Sequence, residues 1–238
     1  MRVLLLAGGY ATRLMPLTEE MPKPLLKIKG KPAMDYVLEA LGGIENRGIF
    51  VLTNKKFSNL FEEWGKGTKT PLKFIVENST KESEKPGAIA AIANAIKRLG
   101  DDDYIVIAGD NVFAMKLGEV VEFFQTKRAP VIGVFDVGDR KLARIYSTVE
   151  MDEQGKIISM QEKPTEPKST LIATCIYIFP KGTLKRFDEY ISSGQKKDSP
   201  GYFIQWLSKR METYGYPIRG KWFDIGTPET YERANSEI

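Results

Sequence analysis

The sequence predicts an α/β fold built on a mainly parallel mixed sheet, and three observations carry that prediction. Short aliphatic runs alternate with amphipathic stretches through the first half of the chain, which is the pattern of parallel strands covered on both faces by helices. After Ala129 the strand-like runs follow one another across tight turns such as Asp152 to Gly155, which is antiparallel character. No repeat, low-complexity tract or linker interrupts the 238 residues, so 1–238 reads as one domain whose character changes between residues 128 and 129.

In order, RVLLLA reads as a buried strand, Ala33 to Leu41 as a helix, GIFVLTN as a strand and Phe57 to Trp64 as a helix. LKFIVE is a third strand. The segment GAIAAIANAIKRLG is a helix carrying Ile89, Ile92, Ile96 and Leu99 on one stripe, which marks a core face. YIVIAGDN is a fourth strand and Leu117 to Lys127 a helix. PVIGVFDV, STVEMD, KIISMQEK and TLIATCIYIF are the later strands. Helices return at Lys181 to Ile191 and Tyr202 to Arg210. The end reads as a strand, KWFD, a turn and a last helix with Thr227 as N-cap and Pro228 at its first position. The stretch SSGQKKDSPG is the most loop-like and is expected to be mobile.

Composition narrows the chemistry. The chain has no histidine, which removes Ser-His-Asp and Cys-His nucleophiles and every histidine metal site. One cysteine, Cys175, excludes an internal disulfide and reads as a packed thiol on an apolar strand. A net charge of +4, from 35 bases mixed with 31 acids, lacks the concentrated basic face of a nucleic-acid binder. Neither a signal peptide nor a run long enough to span a membrane is visible, so a cytoplasmic protein is expected.

The opening MRVLLLAGGYATRLMPLTEEMPKPLL ends an aliphatic strand in Gly8-Gly9 and then presents Arg13 and Lys23. Ligands of parallel sheets bind beyond the carboxyl ends of strands. Glycines there let backbone N–H groups approach a phosphate, Arg13 offers a planar fork of donors, and Lys23 a point charge. Pro22 and Pro24 are expected to hold the Lys23 backbone extended. Neither the Walker A ending nor G-x-G-x-x-G is present. The plainer alternative is a tight turn with two surface cations.

The run AGGYATRLMPLTEEMPKPLLKIKGKP closely resembles the signature of sugar-1-phosphate nucleotidylyltransferases, G-G-x-G-T-R-L-x-P-L-T followed by P-K-P-L-L. GDN at Gly109 to Asn111 resembles the family's metal motif, EKP at Glu162 to Pro164 its sugar-phosphate motif, and WFDIGTPETY at Trp222 to Tyr231 its terminal signature. The four blocks occur in the family's order over nearly the whole chain. The resemblance implies a Rossmann-like three-layer sandwich of the nucleotide-diphospho-sugar transferase type. Residues 1–128 would form the nucleotide-binding half and 129–238 the sugar-phosphate-binding half.

The implied reaction is Mg²⁺-dependent transfer of a nucleotidyl group from a nucleoside triphosphate to a sugar 1-phosphate, with release of pyrophosphate. dTTP or UTP and glucose 1-phosphate are favoured. By the same resemblance Leu6, Ala7, Gly8, Gly9, Thr12, Arg13, Lys23, Gly87 and Asp110 would bind nucleotide, and Asp110 and Asp224 would hold the metal. Arg13, Lys23, Asp110 and Asp224 would carry catalysis. Tyr146, Glu162, Lys163, Thr174 and Cys175 would bind the sugar phosphate, with Glu162 accepting from sugar hydroxyls and Lys163 gripping the phosphate. The segment STKESEKPGAI is expected to line the base site.

Each position also has a structural reading: Asp110 and Asp224 as turn or helix caps, EKP as a solvated strand end, Gly87 as a tolerated helix start. Ala11 stands where the family has a third glycine, a small intrusion. Ser147 stands where Tyr-Gly is usual, and Cys175 replaces a glycine before the Ile-Tyr pair, which would reshape the acceptor pocket. Mannose 1-phosphate, phosphocholine or a catalytically silent sugar-nucleotide regulator remain alternatives, and a homo-oligomer is left open. The chain reads as the short form, without the β-helix of bifunctional relatives, so nucleotidyl transfer alone is expected.

Overall fold

The computed structural model describes residues 1–238. In chain order the elements are β1 (Arg2–Leu6), β2 (Lys27–Ile28), β3 (Lys31–Pro32), α1 (Ala33–Ala40), β4 (Ile49–Asn54), α2 (Ser58–Lys66), β5 (Leu72–Glu77), α3 (Ala88–Leu99), β6 (Tyr104–Ala108), β7 (Asn111–Phe113) and α4 (Gly118–Lys127). There follow β8 (Val131–Asp136), α5 (Arg140–Ala143), β9 (Ser147–Met151), β10 (Ile157–Glu162), β11 (Leu171–Phe179), α6 (Leu184–Ser192), α7 (Pro200–Ser208), β12 (Tyr214–Pro217), β13 (Trp222–Asp224) and α8 (Pro228–Glu237). The long apolar runs became strands and the amphipathic runs helices. The chain groups into two compact units, one of Met1–Lys85, Val106–Gly118 and Arg219–Ile238, the other of Pro86–Ile105 and Glu119–Ile218. Sequence character changes near residue 129, whereas the chain passes between the units several times.

In the first unit β4 lies between β1 and β5, and both pairings are parallel, with Leu5 opposite Val51 and Val51 opposite Phe74. All six β4 residues are buried, as expected of an inner parallel strand. The β2–β3 hairpin turns on Lys29 and Gly30, both at positive φ (48° and 87°), the requirement of a type I′ turn. β7 and β13 form a separate antiparallel ribbon, with Phe113 opposite Trp222 and Asn111 opposite Asp224. Val112 and Phe223 from the ribbon pack with Ile28, Tyr36, Ile225 and Ala234. Burial of each larger side chain stabilises this cluster by about 1.5–3 kcal/mol. β13 is the strand expected in KWFD, whereas β7 is too short to show a period and its pairing with β13 is not visible in the sequence. α8 starts as expected, with Thr227 as N-cap and Pro228 in its first turn. The reciprocal partner in its capping box is Thr230.

In the second unit β8 pairs antiparallel with β11 and parallel with β12, while β9 pairs antiparallel with both β10 and β11. The β11 register shifts between Ala173 and Tyr177, and there Cys175 has φ 57°. α3 buries Ile89, Ile92 and Ile96 as its stripe predicted. Phe187 of α6 stacks on Phe203 of α7 with ring centroids 4.0 Å apart. The 193–199 connection is tied down rather than loose. Ile89 N–H donates to the Lys197 carbonyl (3.1 Å), and Tyr190 Oη donates to the Lys196 carbonyl (2.6 Å).

Candidate functional site

β1 delivers the glycine loop. The Ala7 N–H donates to the Leu52 carbonyl (2.8 Å), and the Leu6 carbonyl accepts from Gly109 N–H (2.9 Å), so the loop is fixed to the neighbouring chain ends. Gly8 lies close to Glu77, while Gly9 faces open space. Ala11 has φ 49° and ψ 43°. The position therefore wants glycine for its backbone, and the methyl group is more than a small intrusion. Thr18, almost fully buried, holds the strained turn by donating to the Ala11 carbonyl (2.8 Å). Replacing Ala11 with glycine removes a left-handed alanine, and the expected result is a gain of about 1 kcal/mol in a denaturant titration, less the entropy glycine adds to the unfolded chain. Thr12 and Arg13 follow in a short 3₁₀ turn, both exposed.

Lys23 is not on extended backbone. It opens a 3₁₀ turn, Lys23–Leu25, closed by Leu25 N–H to the Pro22 carbonyl (2.9 Å) and Leu26 N–H to the Lys23 carbonyl (3.1 Å). Pro24 fits there because the first turn leaves its missing N–H without consequence. The turn aims the ammonium, whose side chain is 18% exposed, at Asp110 Oδ2, with Asp224 Oδ1 at 3.7 Å. Asp110 precedes β7 and Asp224 ends β13, so the ribbon brings two aspartates far apart in sequence onto one lysine. The Ile225 N–H to Asp110 carbonyl contact (3.3 Å) and the buried Trp222 Nε1–H to Asn111 Oδ1 hydrogen bond (2.6 Å) brace the crossing. Trp222 is thus a packing residue.

Burial, followed by the Asp110 charge, pushes the Asp224 carboxyl from 3.8 up to about 6, against the pull of Lys23 and Arg13. Burial alone would lower the Lys23 pKa, but Asp110 and then Asp224 outweigh it and raise it. The enclosed Asp224 Oδ1 has no hydrogen-bond donor. Two hard oxygen donors in excess of one cation, one of them orphaned, fit a divalent ion such as Mg²⁺. No third acidic or sulfur side chain joins them. The remaining ligands would be water and phosphate oxygens.

Sequence reasoning missed a polar chain beside the glycine loop. Tyr10 Oη donates to Ser79 Oγ (3.1 Å), which donates to Glu77 Oε1 (2.8 Å). Burial raises the Glu77 pKa. Asn54, fully buried, donates from Nδ2 to the Gly8 carbonyl (3.2 Å). Glu77 and Asn54 are the last residues of β5 and β4, so the rule that ligands gather at strand carboxyl ends could have found them.

The second unit holds the other expected residues. Glu162 ends β10, opposite Ser147 at the start of β9. Lys163 N–H donates to the Tyr146 carbonyl (3.0 Å), and Lys163 itself has φ 46° with its side chain 51% exposed. A lysine held left-handed with a free-reaching side chain is the kind of strain found at binding sites. Two expectations need correction. Thr174 is completely buried and its hydroxyl donates to the Gly133 carbonyl (2.9 Å), so its side chain does not face a ligand. The Glu162 carboxylate is enclosed and held by protein hydroxyls instead of lying open to sugar hydroxyls. Cys175 is half-buried in the β11 irregularity, left-handed where a glycine would be unstrained. Gly87 has φ 90°, and a Cβ there would fall 2.5 Å from the Lys197 carbonyl oxygen. Close backbone packing within this unit therefore already requires glycine.

A glycine loop with adjacent cations and a paired carboxylate at strand ends is an arrangement whose chemistry suits phosphorylated ligands. The chain belongs to the nucleotidyl transferase family, whose sequence profile matches residues 2–238. It is 28% identical to a UTP–glucose-1-phosphate uridylyltransferase of Synechocystis, over 98% of this chain and 62% of the relative. It is 29% identical to a mannose-1-phosphate guanylyltransferase of Mycobacterium tuberculosis, over 99% of this chain and 64% of the relative. The chain thus spans less than two thirds of the length of these curated relatives. A Bacillus anthracis structure described as a glucose-1-phosphate thymidylyltransferase, complexed with a sucrose, matches with a TM-score of 0.82 at 26% identity, over 99% of this chain and 94% of that one. The architecture is accordingly the Rossmann-like α/β fold of nucleotidyltransferases. No helix is long and apolar enough to cross a membrane.

Proposed function

We propose that this chain transfers a nucleotidyl group from a nucleoside triphosphate to a phosphate monoester acceptor of the sugar 1-phosphate class. The acceptor phosphate oxygen attacks the α-phosphorus, the bond from the α-phosphorus to the bridging oxygen breaks, and pyrophosphate leaves with the electron pair. The observation that carries this reading is the convergence of Lys23, Asp110 and Asp224 in the unit that carries the glycine loop. Positioning and charge stabilisation dominate such chemistry. Loop N–H groups and Arg13 would hold the β- and γ-phosphates, and Lys23 the α-phosphate. Asp110 and Asp224 would hold Mg²⁺, which when bound offsets the negative charge of the reacting phosphates. Lys163 would grip the acceptor phosphate. No general base is needed, because a phosphate monoester is already ionised near neutral pH.

Resemblance favours dTTP or UTP with glucose 1-phosphate, while the relatives' names also include a guanylyltransferase that uses mannose 1-phosphate. Pyrophosphate release with Mg²⁺, across a grid of nucleoside triphosphates and sugar 1-phosphates with phosphocholine added, tests the reading. One strong combination is expected. Nucleotide binding without release from any combination would favour a silent regulator.

A further inference from the structure

The acceptor role given to Glu162 requires a carboxylate that substrate hydroxyls can reach. Here that carboxylate is closed on every side. Its side chain is only 2% exposed. Ser147, its cross-strand partner, donates from Oγ to Oε2, and Ser199, just before α7, donates from Oγ to Oε1 at 2.8 Å. Gln205 Oε1 accepts the Glu162 backbone N–H at 2.8 Å, tying the end of β10 to α7. Gly201 completes the enclosure. A Cβ there would stand 1.9 Å from Glu162 Oε2 and 2.2 Å from Ser147 Oγ, so only glycine leaves room for the pair. Lys163 Nζ, 3.9 Å from Oε1, is the cation beside the group, and its exposed side chain reaches solvent.

Each carboxylate oxygen therefore already has the donor that a substrate hydroxyl would supply. A carboxylate can accept more than one hydrogen bond per oxygen, but the remaining lone pairs are enclosed. A substrate diol could engage Glu162 only by displacing two serine hydroxyls and shifting the start of α7. The exchange would replace two hydrogen bonds with two of the same kind, with no net gain to offset the rearrangement.

We propose that Ser147 and Ser199 stand in permanently for acceptor hydroxyls, so that this enzyme takes a phosphate monoester recognised through its phosphate and not through a diol on Glu162, with Ser147 as the specificity-determining residue. This rests on the nucleotidyl-transfer reading. The acceptor class is a deoxygenated sugar phosphate or a simple alcohol phosphate. Within the site Glu162 is a structural tie and Lys163 the contact.

The test compares kcat/KM for the sugar 1-phosphate that the grid identifies with that for its 2-deoxy and 3-deoxy analogues, in the wild-type chain and in Ser147→Gly. Wild type is expected to change less than threefold on loss of either hydroxyl. Ser147→Gly, which frees Oε2, is expected to prefer the parent sugar over one deoxy analogue by tenfold or more. A wild-type loss of tenfold or more overturns the inference whether or not the variant folds, while leaving the parent reading intact. A variant that folds but discriminates no better than wild type also overturns it. A grid that responds to phosphocholine and to no sugar supports it. Release from no combination removes the parent reading, and the inference with it.

Discussion

Asp110→Asn is expected to lower turnover about 10³-fold while the chain still folds. The substitution keeps the side chain's shape and removes one of the two charges that would bind the cation. Lys23 keeps Asp224 at 3.7 Å, so its ammonium is not left alone. The lost ion pair is partly exposed and costs about 1 kcal/mol. A compensation follows from the paired carboxylates. The folded pKa of Asp224 is raised from 3.8 to about 6, so the stability from its protonated form is fully present below 3.8 and is lost as pH rises through about 6. Removing the Asp110 charge relieves part of that loss at neutral pH. Thermal denaturation and Mg²⁺-dependent pyrophosphate release on the same sample check both halves. Near-normal turnover would remove Asp110 from the metal site.

Lys163→Ala is expected to raise the KM for the acceptor about 30- to 100-fold, with the nucleotide KM changing less than threefold. Lys163 is left-handed, and alanine there bears a similar backbone cost, so little of the effect passes through stability. The side chain is half exposed and makes no hydrogen bond to Glu162, its nearest acid at 3.9 Å, so it is available to a phosphate. Initial rates with each substrate varied in turn decide the matter. A rise confined to the nucleotide KM would sink the assignment.

Most of the fold was legible because long elements repeat their period. Ile89, Ile92 and Ile96 mark α3, and Thr227-Pro228 marks the start of α8. What the sequence concealed has physical reasons. β13 was legible in KWFD, but β7 is three residues long, too short for any pattern, and it is the pairing of the two that joins Asp110 to Asp224. Ala11, Lys163 and Cys175 adopt positive φ without being glycine, and nothing in a side chain announces that. The 3₁₀ turn at Lys23 contradicts the usual bias before proline because two turn hydrogen bonds close it. Long-range polar ties, such as Ser199 to Glu162 or Tyr10 through Ser79 to Glu77, span too much sequence for spacing to reveal. The site was legible chiefly through motif order, whereas the burial of Glu162 and Thr174 was visible only in three dimensions.

The proposed function requires transfer of the α-phosphoryl nucleoside fragment to a phosphate acceptor. Its most direct test follows the α-phosphorus of a labelled nucleoside triphosphate in the presence of Mg²⁺ and acceptor. Label is expected to move into a phosphatase-resistant product, one equivalent of pyrophosphate appearing for each equivalent formed, only when both substrates are present. Label that stays in the triphosphate, or appears as free nucleoside mono- or diphosphate irrespective of acceptor, would contradict it.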